Sequence, residues 1–224
     1  MAKCDYEGFG KEHTMCKYTK HLDCVLASTL SSTQKNLILR LHNEFRQSIA
    51  NGSDPNFPKA ANMVEMAWDD ELEMIAQKWT DQCKQGPDAE RRSYKYPISI
   101  GQNRFLDTED DDKVKKDVSG LAVRTWFSKK QGFSTNDVAE FKSSEKTNHF
   151  SQMIWATSES IGCGFTRYKE VFFSNAITCN YGPAGNIPGN TAAGKEKEPN
   201  GATRLLRFNF MIYLCVFPIL FLIF

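Results

Sequence analysis

The stretch NHFSQMIWATSESIGCGF at residues 148–165, taken with ITCNYGPAGN at 177–186, decides how this chain is read. His149, Met153 and Thr157 recur at helical spacing, as do Phe150, Ile154 and, less regularly, Trp155, which predicts a short helix with one polar and one apolar side. After it, IGCGFTRY (161–168) and VFFSNAITCNYG (171–182) are rich in β-branched and aromatic residues and read as two strands joined near Lys169 and Glu170. Cys163 and Cys179 then fall on neighbouring strands.

Working outward, the sequence supplies helices on either side of this pair. Ser31 and Ser32 can cap a helix in which Ile38, Leu41, Phe45 and Ile49 fall at steps of three and four, and Gly52 ends it. Asp69 or Asp70 opens a second, with Leu72, Ile75, Ala76, Trp79 and Cys83 on one face. A third is expected over 118–129 with Leu121, Ala122, Thr125 and Trp126 inward, and 53–62 and 85–97 read as loops. Helices before and after a small antiparallel sheet give an α+β sandwich with helices on both faces. At 224 residues and 41% hydrophobic content, one sizeable core and one domain are expected.

Charge excludes one class of partner. The 28 basic and 27 acidic side chains are interspersed, for a net charge of +1, so no basic footprint for nucleic acid is present. In DTEDDDK (107–113), Asp107, Glu109 and Asp111 alternate as calcium ligands do. Asp112 stands where a tight-turn glycine is needed, however, and Val118 where a bidentate glutamate is needed, so the run reads as a solvated loop.

The 148–186 region resembles the CAP superfamily, the cysteine-rich secretory proteins, insect venom allergens and plant pathogenesis-related proteins. The resemblance extends upstream through HNEFR (with Asn43 and Arg46), WDDELEMIAQKWTDQC and IGQN, and so covers roughly 4–190. HTMCKY near the start is similar to the venom-allergen, or antigen five, branch. Asn148 and Ala176 depart from the family's usual residues. The resemblance implies an α-β-α sandwich stabilised by disulfides. It divides the chain into a cysteine-bearing segment at 1–30, a CAP domain at 31–190, a polar spacer at 191–204 and an apolar tail at 205–224.

Six of the seven cysteines lie within this region, and the seventh, Cys215, lies in the tail. The resemblance implies bridges Cys4 to Cys16, Cys24 to Cys83 and Cys163 to Cys179. The chain-entropy argument makes the two short loops worth about 3 kcal/mol each and the long one about 4 kcal/mol. A fourth family bridge is missing as a pair: no cysteine stands between Cys4 and Cys16, and Glu90 occupies the partner position.

The family's metal-binding members converge two histidines and two glutamates in a central cleft, a set suited to zinc. Carried over one position at a time, these places hold Pro87, Gln102, Lys129 and His149, so only one ligand survives and no metal or other cofactor is expected. Gln102 and His149 remain as cleft candidates. Among four histidines, His13, His21, His42 and His149, none sits in a nucleophile motif, and no catalytic residue is assigned. His42 reads as structural, with Asn43 and Arg46 anchoring neighbouring loops.

The expected function is therefore that of a non-enzymatic, extracellular protein that binds a protein receptor or a small apolar lipid. A sterol or fatty-acid carrier is the alternative, and a metal-assisted hydrolase a weaker one. Phe57, Met63, Met66 and Met74 could line an adaptable apolar groove, although ordinary core packing is the expected role of such residues. The opening MAKCDYEG has neither the apolar core nor the cleavage site of a leader. Asn51-Gly52-Ser53 is an N-glycosylation sequon. The tail runs seventeen residues after Arg207 without a charge. With Asn190, Ala192 and Gly194 as small attachment candidates, it has the parts of a glycolipid-anchor signal, and a retained membrane span is the alternative.

Overall fold

Two ten-residue strands, β4 (Ser160–Lys169) and β5 (Phe173–Gly182), run antiparallel at the centre of the sheet and put Cys163 directly opposite Cys179. The structure, a computed structural model, describes residues 4–18, 24–110 and 117–193. β3 (Gly101–Glu109) pairs antiparallel along the other side of β5, with Gln102 opposite Asn180. β1 (Val25–Ser28) lies antiparallel to β4, and the two-residue β2 (Ala67–Trp68) pairs parallel with the start of β4. The order across the sheet is β1-β4-β5-β3.

Both faces of this sheet are covered, which is why β4 and β5 are buried along nearly their whole length instead of alternating. One face receives α3 (Asp70–Thr80), capped by Asp69, one of the two aspartates the sequence offers, whose side chain accepts from the Leu72 N–H. The other receives α2 (Ser32–Ala50), α4 (Val118–Ser128) and α6 (Asn148–Met153), whose inward residues Ile38, Leu41, Ala122, Trp126 and Phe150 share a core with Ile161, Cys163, Ile177 and Tyr181. Ser31 and Gln34 close a capping box at the start of α2. The helices α1 (Thr14–Lys17) and α5 (Thr135–Ala139) are short and peripheral.

Close approach of α3 depends on two glycines. A Cβ on Gly162 would lie 2.2 Å from the Glu73 backbone nitrogen, and one on Gly164 would lie 2.4 Å from Gln77 Cα. Since backbone cannot swing aside as a side chain can, Gly164→Ala must push α3 off the sheet. The push would break the reciprocal bonds by which Gln77 Nε2 donates to the Phe165 carbonyl at 2.9 Å and Gln77 Oε1 accepts from its N–H at 3.0 Å. A loss of about 3 kcal/mol is expected, read as a lower urea midpoint; an unchanged midpoint would show that α3 is not seated through this contact.

All three disulfides form as the resemblance implies, Cys4–Cys16, Cys24–Cys83 and Cys163–Cys179. Where the family's fourth bridge would fasten the N-terminal segment, polar contacts do so. The Thr14 N–H donates to the Glu90 carbonyl at 2.9 Å, its hydroxyl donates to Asp88 Oδ1 at 2.6 Å, and His13 Nε2 lies 2.7 Å from the Arg92 carbonyl. Tyr6 stacks on His13 with ring centroids 4.8 Å apart. The described residues ahead of position 31, at 4–18 and 24–30, are therefore fastened to the packed body, β1 included.

Several sequence expectations are corrected. The helix around His149 is six residues long and not amphipathic: Phe150, Ser151, Gln152 and Met153 are all buried, as are Ile154, Trp155 and Ala156 after it. The sandwich encloses 150–156, while Asn148 and His149 at the helix start are half-buried, so the polar Ser151 and Gln152 are satisfied by protein partners. Of the expected loop at 107–113, Asp107 and Glu109 lie on β3, their alternation being the two-residue period of a strand, with Glu109 Oε2 3.8 Å from Arg167, while 111–113, with Asp111 and Asp112, lie outside the described residues. In α4, Val123 is fully buried while Leu121 and Thr125 are only half-buried. Packing also continues past position 190: Ala192 is 0% exposed, its N–H donating to the Val138 carbonyl at 2.9 Å and its carbonyl accepting from Ala156 at 2.8 Å.

Candidate functional site

Arg46, one turn after His42 on α2, organises everything around the His149 helix. It is 2% exposed and makes six hydrogen bonds, all to main-chain carbonyls: two to Val64 and one each to Met153, Trp155, Ala156 and Ser158. Met153, Trp155, Ala156 and Ser158 lie at the end of α6 and in the turn after it, where the helical ladder no longer supplies a partner for each carbonyl. The planar guanidinium satisfies them from one point, and burial lowers its pKa to about 9. Asn43, on the same face, holds Met66 in both directions, accepting from its N–H at 2.9 Å and donating to its carbonyl at 3.0 Å.

A buried polar chain joins α2 to the sheet. His42 Nδ1 lies 2.8 Å from the Ile38 carbonyl and Nε2 lies 2.9 Å from the Tyr181 hydroxyl. A carbonyl can only accept, so Nδ1 carries the proton and Nε2 accepts from Tyr181. Asn103 Nδ2 then donates to the Tyr181 oxygen at 3.2 Å and to the His149 carbonyl at 2.9 Å. Burial lowers the His42 pKa to about 4, so this imidazole stays neutral. Its commitments on both nitrogens make it a structural element.

The four places at which the family's metal ligands were sought separate into two pairs. Gln102 Oε1 accepts from the N–H of Asp88, next to Pro87, at 2.8 Å, while its Nε2 donates to Asn180 Oδ1 at 2.9 Å. Asn180 in turn donates to the Leu72 carbonyl of α3. Gln102 thus ties a loop to the α3 side of the sheet. His149 faces the other way, stacked parallel to Trp126 at 6.3 Å, with Nδ1 3.1 Å from Lys129 Nζ. Trp126 Nε1 donates to the Arg104 carbonyl at 3.0 Å, and His149 also bonds the Arg104 backbone, so the outer edge of β3 is covered by these two rings. Among the described residues no hydrogen bond joins one pair to the other.

The chemistry of the Lys129–His149 pair follows from its charges. The ammonium has no lone pair and must donate, so Nδ1 of a neutral imidazole accepts. Burial lowers the His149 pKa to about 4, with the Lys129 charge as the next cause. The nitrogen that would bind a metal or take a proton is already occupied, and a positive charge sits 3.1 Å from it. Pro87 offers no side-chain donor at all. These residues do not fit a zinc ion, and among the described residues no group of three or more histidine, cysteine, aspartate or glutamate side chains is placed to hold a metal.

The remaining candidates are dispersed. Phe57, Met63 and Met66 are core residues and Met74, 44% exposed, lies apart on α3, so the four do not line one groove. Asn51 is the exposed C-cap of α2. Asn190 is exposed and Ala192 is enclosed, whereas Gly194, Cys215 and the tail lie outside the described residues. No helix among the described residues is long and apolar enough to cross a membrane. Sequence reasoning missed the Tyr181–Asn103 link and the Thr14–Asp88 link. The first could have been read from the near register of GQN and NYG on paired strands, while the second spans 74 residues and leaves no local signal.

This arrangement has known counterparts. The family model described as CAP, cysteine-rich secretory protein family, matches residues 39–181. The chain belongs to the CAP family. Venom allergen 5 of Tityus serrulatus is 34% identical over 221 residues, covering 90% of this chain and 53% of that protein. The chain thus spans about half the length of that relative. Venom allergen 5 of Vespula vidua is 36% identical over 190 residues, covering 80% of this chain and 90% of that protein. Among solved structures, NaASP2 with Zn2+ superposes with a TM-score of 0.63 at 26% identity, over 75% of this chain and 88% of that one.

Proposed function

We propose that this CAP protein works outside the cell as a non-enzymatic, venom-allergen-like domain that acts by binding a protein partner. The disulfide framework and the venom-allergen relatives support the extracellular setting, and an anchor signal in 205–224, on this reading, would hold the domain at an outer cell surface. For the lipid-carrier alternative, Phe57, Met63 and Met66 are enclosed in the core and Met74 lies apart on α3, so these four residues do not support it with a shared groove. The observation that carries the non-enzymatic reading is the occupied lone pair of His149: a base or metal ligand needs that nitrogen free, and Lys129 holds it. The zinc named with NaASP2 is therefore not carried over to this chain.

Titration with zinc tests this reading. The unmodified oxidised domain is expected to bind no stoichiometric metal, and Pro87→His with Lys129→Glu should raise affinity by converting a repelling charge into a ligand. The same preparation should hydrolyse ester and peptide panels no faster than His149→Gln. Stoichiometric zinc in the unmodified protein, or turnover abolished by His149→Gln, would overturn the proposal.

A further inference from the structure

The sequon at the end of α2 is placed for modification in a way the sequence alone does not reveal. Asn51 is the C-cap residue, exposed to solvent, and its N–H remains bonded to the Gln47 carbonyl, so the residue is fixed by main chain. Its side-chain Oδ1 accepts from the Ser53 N–H at 2.9 Å, closing an Asx turn. That commits the oxygen and leaves the amide nitrogen Nδ2 uncommitted among the described residues. Ser53 is exposed too, and Asp54 follows it, not proline. Gly52, at φ 73°, supplies the left-handed turn between them, with the Lys59 side chain over it.

Asn-Gly is also the dipeptide most prone to spontaneous deamidation, in which the glycine nitrogen attacks the asparagine side-chain carbon. Here that nitrogen is engaged: the Gly52 N–H donates to the Ile49 carbonyl at 3.1 Å, and Asn51 is held in the helical region at φ −85° and ψ −3°. Ring closure would need both to be released, so the fold protects the amide from loss while the residue stays exposed.

We infer that Asn51 carries an N-linked oligosaccharide. In the transfer, Nδ2 bonds to C1 of the reducing sugar of a lipid-linked diphosphate oligosaccharide. The bond from C1 to the diphosphate oxygen breaks, the lipid diphosphate leaves with the electron pair, and one Nδ2 proton passes to the transferase's base. The folded chain accommodates the product because Asn51 is exposed and its Nδ2, with no partner among the described residues, loses no hydrogen bond when substituted. This rests on the extracellular reading, since only a chain that traverses the secretory pathway meets that donor.

The full chain expressed behind a secretory leader in animal cells tests it. One mobility step should collapse on treatment with peptide N-glycosidase, and Asn51→Gln and Ser53→Ala should each lack that step while Ser53→Thr keeps it. Deglycosylation in heavy-oxygen water should label residue 51 only when the glycosidase is present, and a parallel incubation without the enzyme separates a removed glycan from spontaneous deamidation. Protein that has formed its three disulfides but shows an unlabelled, unshifted residue 51 would overturn the inference. Because the leader forces passage through the pathway, that result counts against the site alone; failure of the disulfides to form there would instead count against the extracellular reading.

Discussion

Arg46→Met should unfold the domain or cost at least about 4 kcal/mol, the largest effect of any single substitution at the candidate site. Six hydrogen bonds to five carbonyls vanish together, and methionine, close in length, fills the space without replacing any donor. A buried carbonyl stripped of its partner costs about 1–3 kcal/mol. Even with some served by neighbouring N–H groups or by water, the sum is comparable with the whole stability of a domain, about 5–15 kcal/mol. Arg46→Lys should fare little better, because one ammonium cannot reach carbonyls spread around a planar fork. Chemical denaturation of the oxidised variants is the direct measurement. If Arg46→Met kept its midpoint, the turn at 153–158 would have to be held by other groups, and the role assigned to Arg46 would be wrong.

Arg46 also shows what a sequence reveals and what it conceals. Elements with strong local signals were legible: the apolar period of α2, the capping serine and aspartate, and the two β-branched strands bearing Cys163 and Cys179. Their physics is local, and a few neighbouring residues decide the outcome. The resemblance to CAP proteins supplied the bridges, which no single-chain pattern could have paired. The errors came where tertiary enclosure overrides period. The His149 helix has the alternation of a surface helix but lies inside, because Arg46, Asn103 and Asn186 satisfy its polar groups from elements far along the chain. Asp107 and Glu109 suggested a loop because acidic residues usually do; strand pairing with β5 imposed a period that their charge had obscured.

At the site, the identities of Pro87, Gln102, Lys129 and His149 were readable, and the consequence for metal binding follows from charge alone. Their grouping was not readable. Nothing in the chain signals that Lys129 reaches its ammonium to His149, or that Gln102 is turned toward Asp88 and Asn180, since both depend on how α4 and the 84–100 loop meet β3. At the place where the resemblance implies a carboxylate, Lys129 brings a cation and also captures the imidazole lone pair. The pair behaves as one polar contact that covers the edge of β3.

That contact predicts how the domain responds to acid. His42 and His149 are both lowered from 6.5 to about 4, first by burial, and for His149 next by the charge of Lys129. In the unfolded chain each imidazole protonates near its ordinary value, so between 6.5 and about 4 the unfolded state binds more protons than the folded one. Stability from these two groups is therefore complete above about pH 6.5, falls as pH is lowered, and is gone below about pH 4. For fully buried His42 the interval corresponds to about 3 kcal/mol, and for half-buried His149 to less, so a loss of roughly 3–5 kcal/mol is expected across this window. His149→Gln, which keeps a hydrogen-bonding side chain but no titrating group, should make the fall shallower. Lys129→Met should do so partially by returning His149 toward its ordinary value. Urea unfolding at a series of pH values gives the slopes, and the ring resonances of His149 give its titration directly. A His149 that titrated near 6.5 with Lys129 intact would mean that the ring is neither buried nor held against the ammonium as described, and its share of the acid response and the argument against metal binding would fail with it.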